Sequence, residues 1–207
     1  MDARPHPPRP LLLGAPAGPP RADAERNHAL ILAAARRLLE GRGVDGLTMD
    51  LVAAEAGVGK GTVFRRFGTR TGLMLALVND IETDFQRRFM SGPPPLGPGA
   101  PATDRLVAFG RERIAMLELQ GDLLRAAEDR PDERYASAPR AASALHLHIL
   151  LNQAGYDGDT PVLVFTLLAS LDATLVLYEN RSQNVTMERV ANAWEDLVRR
   201  VTAPRAS

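Results

Sequence analysis

Apolar residues recur at the helical period through most of the chain, and no segment alternates as a half-buried strand would. Residues 24–40 place Ile31, Ala34, Ala35, Leu38 and Leu39 on one stripe, which stops at Gly41-Arg42-Gly43. Thr48 then precedes Met49, Val52, Ala53 and Ala56, a short helix opened by a hydroxyl cap and closed by Gly57. A second short helix is expected over about 60–67, broken at Gly68, and Thr69 caps a long one reaching about residue 90. Residues 91–102 are rich in proline and glycine and read as a flexible linker. Further helical patterns follow near 103–120, 121–129, 138–154, 160–179 and 186–202. The pattern predicts an all-α chain. It has a Pro-rich tail (1–23), a compact head (24–70), a larger helical body (71–202, including the linker 91–102) and a short tail (203–207).

Composition changes this picture in three places. The chain has 207 residues and no net charge, yet the charge is uneven. Residues 21–70 hold nine basic and six acidic groups, whereas 103–207 hold twelve basic and fifteen acidic ones, so an anion-binding head on an acidic body is expected. The absence of cysteine excludes disulfides and thiolate metal sites. Residues 161–178 form the longest apolar stretch, but Thr166, Ser170, Asp172 and Thr174 interrupt it. A core helix is expected there rather than a membrane span. The leucine run at 11–13 is too short for a secretory signal.

Lys60 is the sole lysine among 25 basic residues, and from Lys60 to Arg70 there are four basic residues and no acidic one. Short helix, Gly57, short helix is the pattern of a helix-turn-helix. Ala53 and Ala56 allow the two helices to cross closely, and Gly57 makes the turn. Val58 and Val63 can then pack inward with Phe67, leaving Lys60, Thr62, Arg65 and Arg66 outward. A helix so dressed fits the major groove, with its early residues nearest the base edges. The segment Gly57-Val58-Gly59-Lys60-Gly61-Thr62 is not a nucleotide-binding loop. Gly61 separates the lysine from the threonine, Ala54 stands where the first glycine belongs, and a helix precedes instead of a strand.

With these residues in place, the run from Ile31 to Leu73 resembles the DNA-binding head of the TetR family of bacterial repressors. The resemblance is carried by Ile31, Leu32, Ala35, Leu39, Gly43, Thr48, Val52, Ala53, Ala56, Gly57, Val58, Gly59, Lys60, Gly61, Thr62, Val63, Phe64 and Phe67, with Arg70-Thr71-Gly72-Leu73 opening the next helix. Phe64 stands where the family usually has tyrosine, Gly59 replaces a serine cap, Gly68 a proline and Leu39 an aromatic. Operator affinity is therefore expected to lean on Arg65, Arg66 and Arg70. The resemblance implies that Thr48 and Arg70 touch phosphates and that Lys60 meets a phosphate or base edge. It also implies that Gly61, Thr62 and Arg65 face the groove and that Phe64 presses on sugar or a thymine methyl.

It implies further a cytoplasmic homodimer that binds a near-palindromic double-stranded operator as a repressor and is released by a small-molecule effector. The dimer would form through 160–179 and 186–202, with Ala169 and Ala173 allowing close contact and Trp194 and Leu197 as apolar anchors. An alternative is a helical ligand-binding or protein-interaction module with a degenerate head. In the body, Arg113 shares a stripe with Leu106, Phe109 and Met116, and Asp172 falls inside an apolar helix, where an unpaired charge is costly. One of them lines a ligand cavity in the body, or they pair with each other or reach solvent. Candidate effector contacts are Phe109, Arg113, Met116, His146, Phe165 and Asp172. His146 and His148 lie two apart on a helix, point to different faces, and suit packing better than a metal. No metal or cofactor is expected. No Gly-x-Ser-x-Gly elbow or zinc-protease motif is present, so no enzyme is expected.

Overall fold

The computed structural model describes residues 20–127 and 138–204. Nine helices lie among the described residues: α1 (Pro20–Arg42), α2 (Met49–Ala56), α3 (Lys60–Phe67), α4 (Arg70–Ser91), α5 (Ala102–Ala127), α6 (Ala138–Gln153), α7 (Thr160–Ser170), α8 (Ala173–Ser182) and α9 (Met187–Val201). No strand occurs among them. The end of the helix expected at 121–129, most of the 1–23 tail and residues 205–207 lie outside the described residues.

Apolar spacing sets which helix faces meet. Ile31, Leu32, Ala35, Leu38 and Leu39 of α1 pack with Val52 and Ala53 of α2, Val63 of α3, and Leu73, Leu77 and Ile81 of α4 to make a head core. A second core joins Phe85 and Phe89 of α4 to α5, α6, α7, α8 and α9. Each fully buried leucine in these layers contributes roughly 1.5–3 kcal/mol. α4 therefore feeds the head with its first half and the body with its second. Val78 of α4 and Met116 of α5 pack against both cores, and Leu123 of α5 enters the head core. α9 shows why such faces are legible: Met187, Ala191, Trp194 and Val198 recur every three or four residues and are its buried set.

Three expectations change. The patterns at 103–120 and 121–129 belong to one continuous helix, α5. Gly121 weakens helix propensity by about 1 kcal/mol. Its missing side chain admits Leu177, whose Cδ1 would stand 2.9 Å from a Cβ there, so packing overrides propensity. The helix expected at 160–179 is two helices, α7 and α8, bent by 44°. Asp172 is the break: its Oδ1 accepts from the amides of Thr174 at 3.0 Å and Leu175 at 3.3 Å, capping α8. Residues 92–101 are non-helical as expected, but not a loose tether. Leu96 is buried, and the Arg105 guanidinium donates to the Phe89 carbonyl at 3.0 Å. Among the described residues no single helix is long and apolar enough to cross a membrane.

Candidate nucleic-acid interface and body site

The turn between α2 and α3 is built by backbone alone. Gly57 sits at φ +65°, a left-handed conformation that glycine adopts without a Cβ penalty. The amide of Val58 donates to Ala53 at 3.0 Å, closing the end of α2. Thr48 caps the other end, its Oγ1 accepting from the Leu51 amide at 3.3 Å. Gly59 opens α3 with no side-chain cap. Val63 is fully buried, and Val58 and Phe67 pack half-buried against the head core. This leaves Gly61, Phe64, Arg65 and Arg66 exposed and Thr62 half-buried.

The cations expected to meet DNA are not equally free. The Lys60 ammonium pairs with Asp50 of α2 at 2.7 Å and lies 5.7 Å from the centre of the Phe64 ring. Arg66 Nε donates to Nδ1 of His28 at 3.2 Å, and His28 stacks on Phe67 at 5.4 Å. Burial first, then the charge of Arg66, lowers the His28 pKa, with Asp80 opposing, which suits a neutral ring that accepts. Arg70 donates to the carbonyls of Leu47 at 2.8 Å and Val44 at 2.6 Å, so it braces the α1–α2 loop. Arg65 is the α3 cation without an intramolecular partner among the described residues.

In the body, Arg113 does not meet Asp172. Its guanidinium pairs with Glu82 of α4 at 2.5 Å and lies 5.8 Å from the Phe85 ring. Glu82 is buried beside the α4–α5 crossing, one turn from Val78, and Arg113 is one turn from Met116. The pair therefore stands at the junction of the two cores. Glu82 carries a signal in the sequence itself, since it falls on the apolar stripe Val78, Phe85, Phe89. Phe89 and Phe109 flank His146, at 4.3 and 5.8 Å between ring centres, and Phe85 completes the cluster. His146 is buried with Nε2 lacking a hydrogen-bond partner among the described residues, and burial, then the charge of Arg105, push its pKa down to about 4. Of the six expected effector contacts, Phe109, Arg113, Met116 and His146 belong to this region, whereas Phe165 is 64% exposed and Asp172 caps a helix. His148 is half-buried, and no metal-ligand cluster occurs among the described residues.

The expected dimer residues also separate. Trp194 is buried within the protomer, its indole N–H donating to the Leu106 carbonyl at 3.0 Å, and Ala173 is buried in the same body core. Ala169 and Leu197 are exposed. Large apolar groups remain outward on α7 and α8: Val162 (58%), Phe165 (64%), Leu175 (48%) and Tyr178 (54%).

Residues 31–77 match the family described as bacterial regulatory proteins, tetR family. No curated protein matches the sequence. Among solved structures, a TetR-family transcriptional regulator from Pectobacterium atrosepticum is 22% identical with a TM-score of 0.67, covering 89% of this chain and 99% of that one. The transcriptional regulator FadR from Bacillus subtilis, in complex with stearoyl-CoA, is 15% identical with a TM-score of 0.62, covering 83% and 97%. The multidrug binding protein EbrR complexed with ethidium is 25% identical with a TM-score of 0.57, covering 84% and 97%. Residues 31–77 thus carry the DNA-binding head of the bacterial tetR regulatory family, and the chain as a whole shares the all-helical fold of solved TetR-family regulators.

Proposed function

We propose that this DNA-binding regulator is a repressor that holds a near-palindromic operator as a homodimer in the cytoplasm and leaves it when a small molecule occupies the body. The observation that carries this reading is the build of α3. Its buried edge is Val63, and its outer surface offers Gly61, Phe64, Arg65 and Arg66, with Lys60 at its first turn. Phosphate contacts come from Lys60, Arg66 and the hydroxyl of Thr48, whose oxygen caps α2 while its O–H remains able to donate. Arg65 and Thr62 face base edges, and Phe64 suits sugar or a thymine methyl. Arg70 acts indirectly, by holding the loop before α2.

Two copies would join through the exposed apolar face of α7 and α8, with Leu197 of α9, placing two heads about one turn of DNA (roughly 34 Å) apart. The effector would enter around Phe85, Phe89, Phe109 and His146. Opening this cluster shifts α4, which carries both Phe85 and the head residues Leu73 and Leu77, so effector binding and DNA binding draw on one helix. The solved structures that hold stearoyl-CoA and ethidium support a body that accepts a small-molecule effector. No catalytic role is proposed.

The test is fluorescence anisotropy on DNA from upstream of the chain's own gene, with salt varied. Binding that weakens steeply with salt is expected. No binding at low salt sinks the reading.

A further inference from the structure

The α3 amino terminus lacks what such termini usually have. No acidic residue lies in its first turn, Gly59 offers no capping side chain, and its first residue is a cation, Lys60. A positive group there is disfavoured by the helix dipole. The compensating anion comes from the neighbouring helix: the Asp50 carboxylate meets the Lys60 ammonium at 2.7 Å, with the side chains 64% and 59% exposed. The ammonium also lies beside the Phe64 ring, itself 42% exposed. Asp50, Lys60 and Phe64 thus form a cluster on the face that α3 presents outward.

We infer that Asp50 is a specificity-determining positioning residue, an internal stand-in for a DNA phosphate. This rests on the DNA-binding reading above. In the free head the carboxylate holds Lys60. On DNA the lysine must exchange the carboxylate for a phosphate. Arbitrary duplexes give little in return for that exchange. The operator, which also satisfies Arg65 and Thr62 at base edges, offsets it. Asp50 thereby lowers affinity for every duplex, and by the larger factor where Lys60 does not regain a full phosphate contact in exchange, as on the wrong DNA. A purely structural role, favouring the α2 dipole from its first turn, would alter stability and leave the salt response unchanged.

The experiment compares wild type, Asp50→Asn, Lys60→Gln and the double variant. Probes are the duplex upstream of the chain's own gene and a scrambled duplex of equal length and composition. Removing one charge near a phosphate in a solvated setting is expected to raise Asp50→Asn affinity for the scrambled duplex about three- to tenfold. The gain for the upstream duplex should be smaller, so the ratio between duplexes narrows. The salt dependence should steepen by up to about one phosphate contact. In the Lys60→Gln background Asp50→Asn should change affinity less than about twofold, because the group it restrains is gone. Unchanged affinity and slope in Asp50→Asn overturns the inference, as does an equal gain with and without Lys60. If wild type binds neither duplex at about 50 mM salt, the DNA-binding reading fails instead.

Discussion

The indole of Trp194 occupies the volume that a side chain at position 110 would fill. Gly110 lies in α5 and Trp194 in α9, and the indole N–H closes the contact on the carbonyl of Leu106, one turn before the glycine. The terminal helix is thereby seated on the central helix of the body through a gap that glycine alone leaves open. Gly110→Ala should therefore destabilise the protein. The alanine gains about 1 kcal/mol of helix propensity, but overpacking against a rigid ring costs about 1–3 kcal/mol or more. A net drop in Tm of a few degrees is expected, read by the fluorescence of the sole tryptophan. An unchanged or higher Tm would mean that α9 shifts freely.

Thr48 and Arg65 should separate stability from binding. Thr48→Ala removes a helix cap and should cost about 1 kcal/mol in urea unfolding. Arg65 is exposed and has no hydrogen-bond or ion-pair partner among the described residues, so the unfolding midpoint of Arg65→Ala should match wild type while operator affinity falls about tenfold or more. Equal midpoints and equal affinities for both variants would contradict the roles assigned.

His146 gives a pH dependence of known sign. Its folded pKa is about 4, below the ordinary value of 6.5. Between these values the unfolded chain takes up a proton that the folded chain refuses. The stability tied to the neutral ring is complete above about pH 6.5 and is lost progressively as pH falls toward 4, by up to about 3 kcal/mol. Urea midpoints at pH 7 and 5 should differ more for wild type than for His146→Leu. The same difference in both would remove His146 as the cause.

The Glu82–Arg113 pair should behave as a coupled unit. Arg113→Met strands a buried carboxylate and should cost about 2–4 kcal/mol. Adding Glu82→Leu should restore much of that loss, since an apolar pair suits the same site. Additive losses in the double variant would show that the two residues act independently. Because the pair joins α4 to α5, Arg113→Met should also weaken operator binding in anisotropy.

Phe165→Arg should break the proposed dimer. Placing a charge on the exposed face of α7 should yield monomers by analytical ultracentrifugation and leave the circular dichroism of the fold intact. Operator affinity should fall with it, because each head alone reads a half-site. A wild-type chain that sediments as a monomer at micromolar concentration would sink the idea at the first step.

The head was legible because its signals are local. A hydroxyl at Thr48, a glycine at Gly57 and an apolar spacing that buries Val63 are short-range instructions, each acting within a turn or two of helix. The body was legible in its helices but not in its partners. Spacing along the chain leaves Arg113 and Asp172 free to line a cavity, pair or reach solvent, whereas the fold gives Arg113 a partner in Glu82 on another helix and sets Asp172 to cap its own backbone. Trp194 had the apolar spacing of an interface residue, but a glycine some eighty positions earlier makes its socket inside the protomer. Leu96 shows the same for the 92–101 loop: prolines forbid a helix there, and only packing and Arg105 tell that the loop is held.

By itself, then, the sequence determined the all-helical class, the helix-turn-helix and the outward set on α3, because helical period, caps and breakers act between neighbours in the chain. Tertiary structure alone decided that α4 and α5 span both cores, which carboxylate neutralises Arg113, that Asp50 holds Lys60, and which apolar residues stay exposed on α7 and α8. Those outcomes depend on which faces of distant helices meet, and burial and charge pairing are properties of the meeting rather than of either helix.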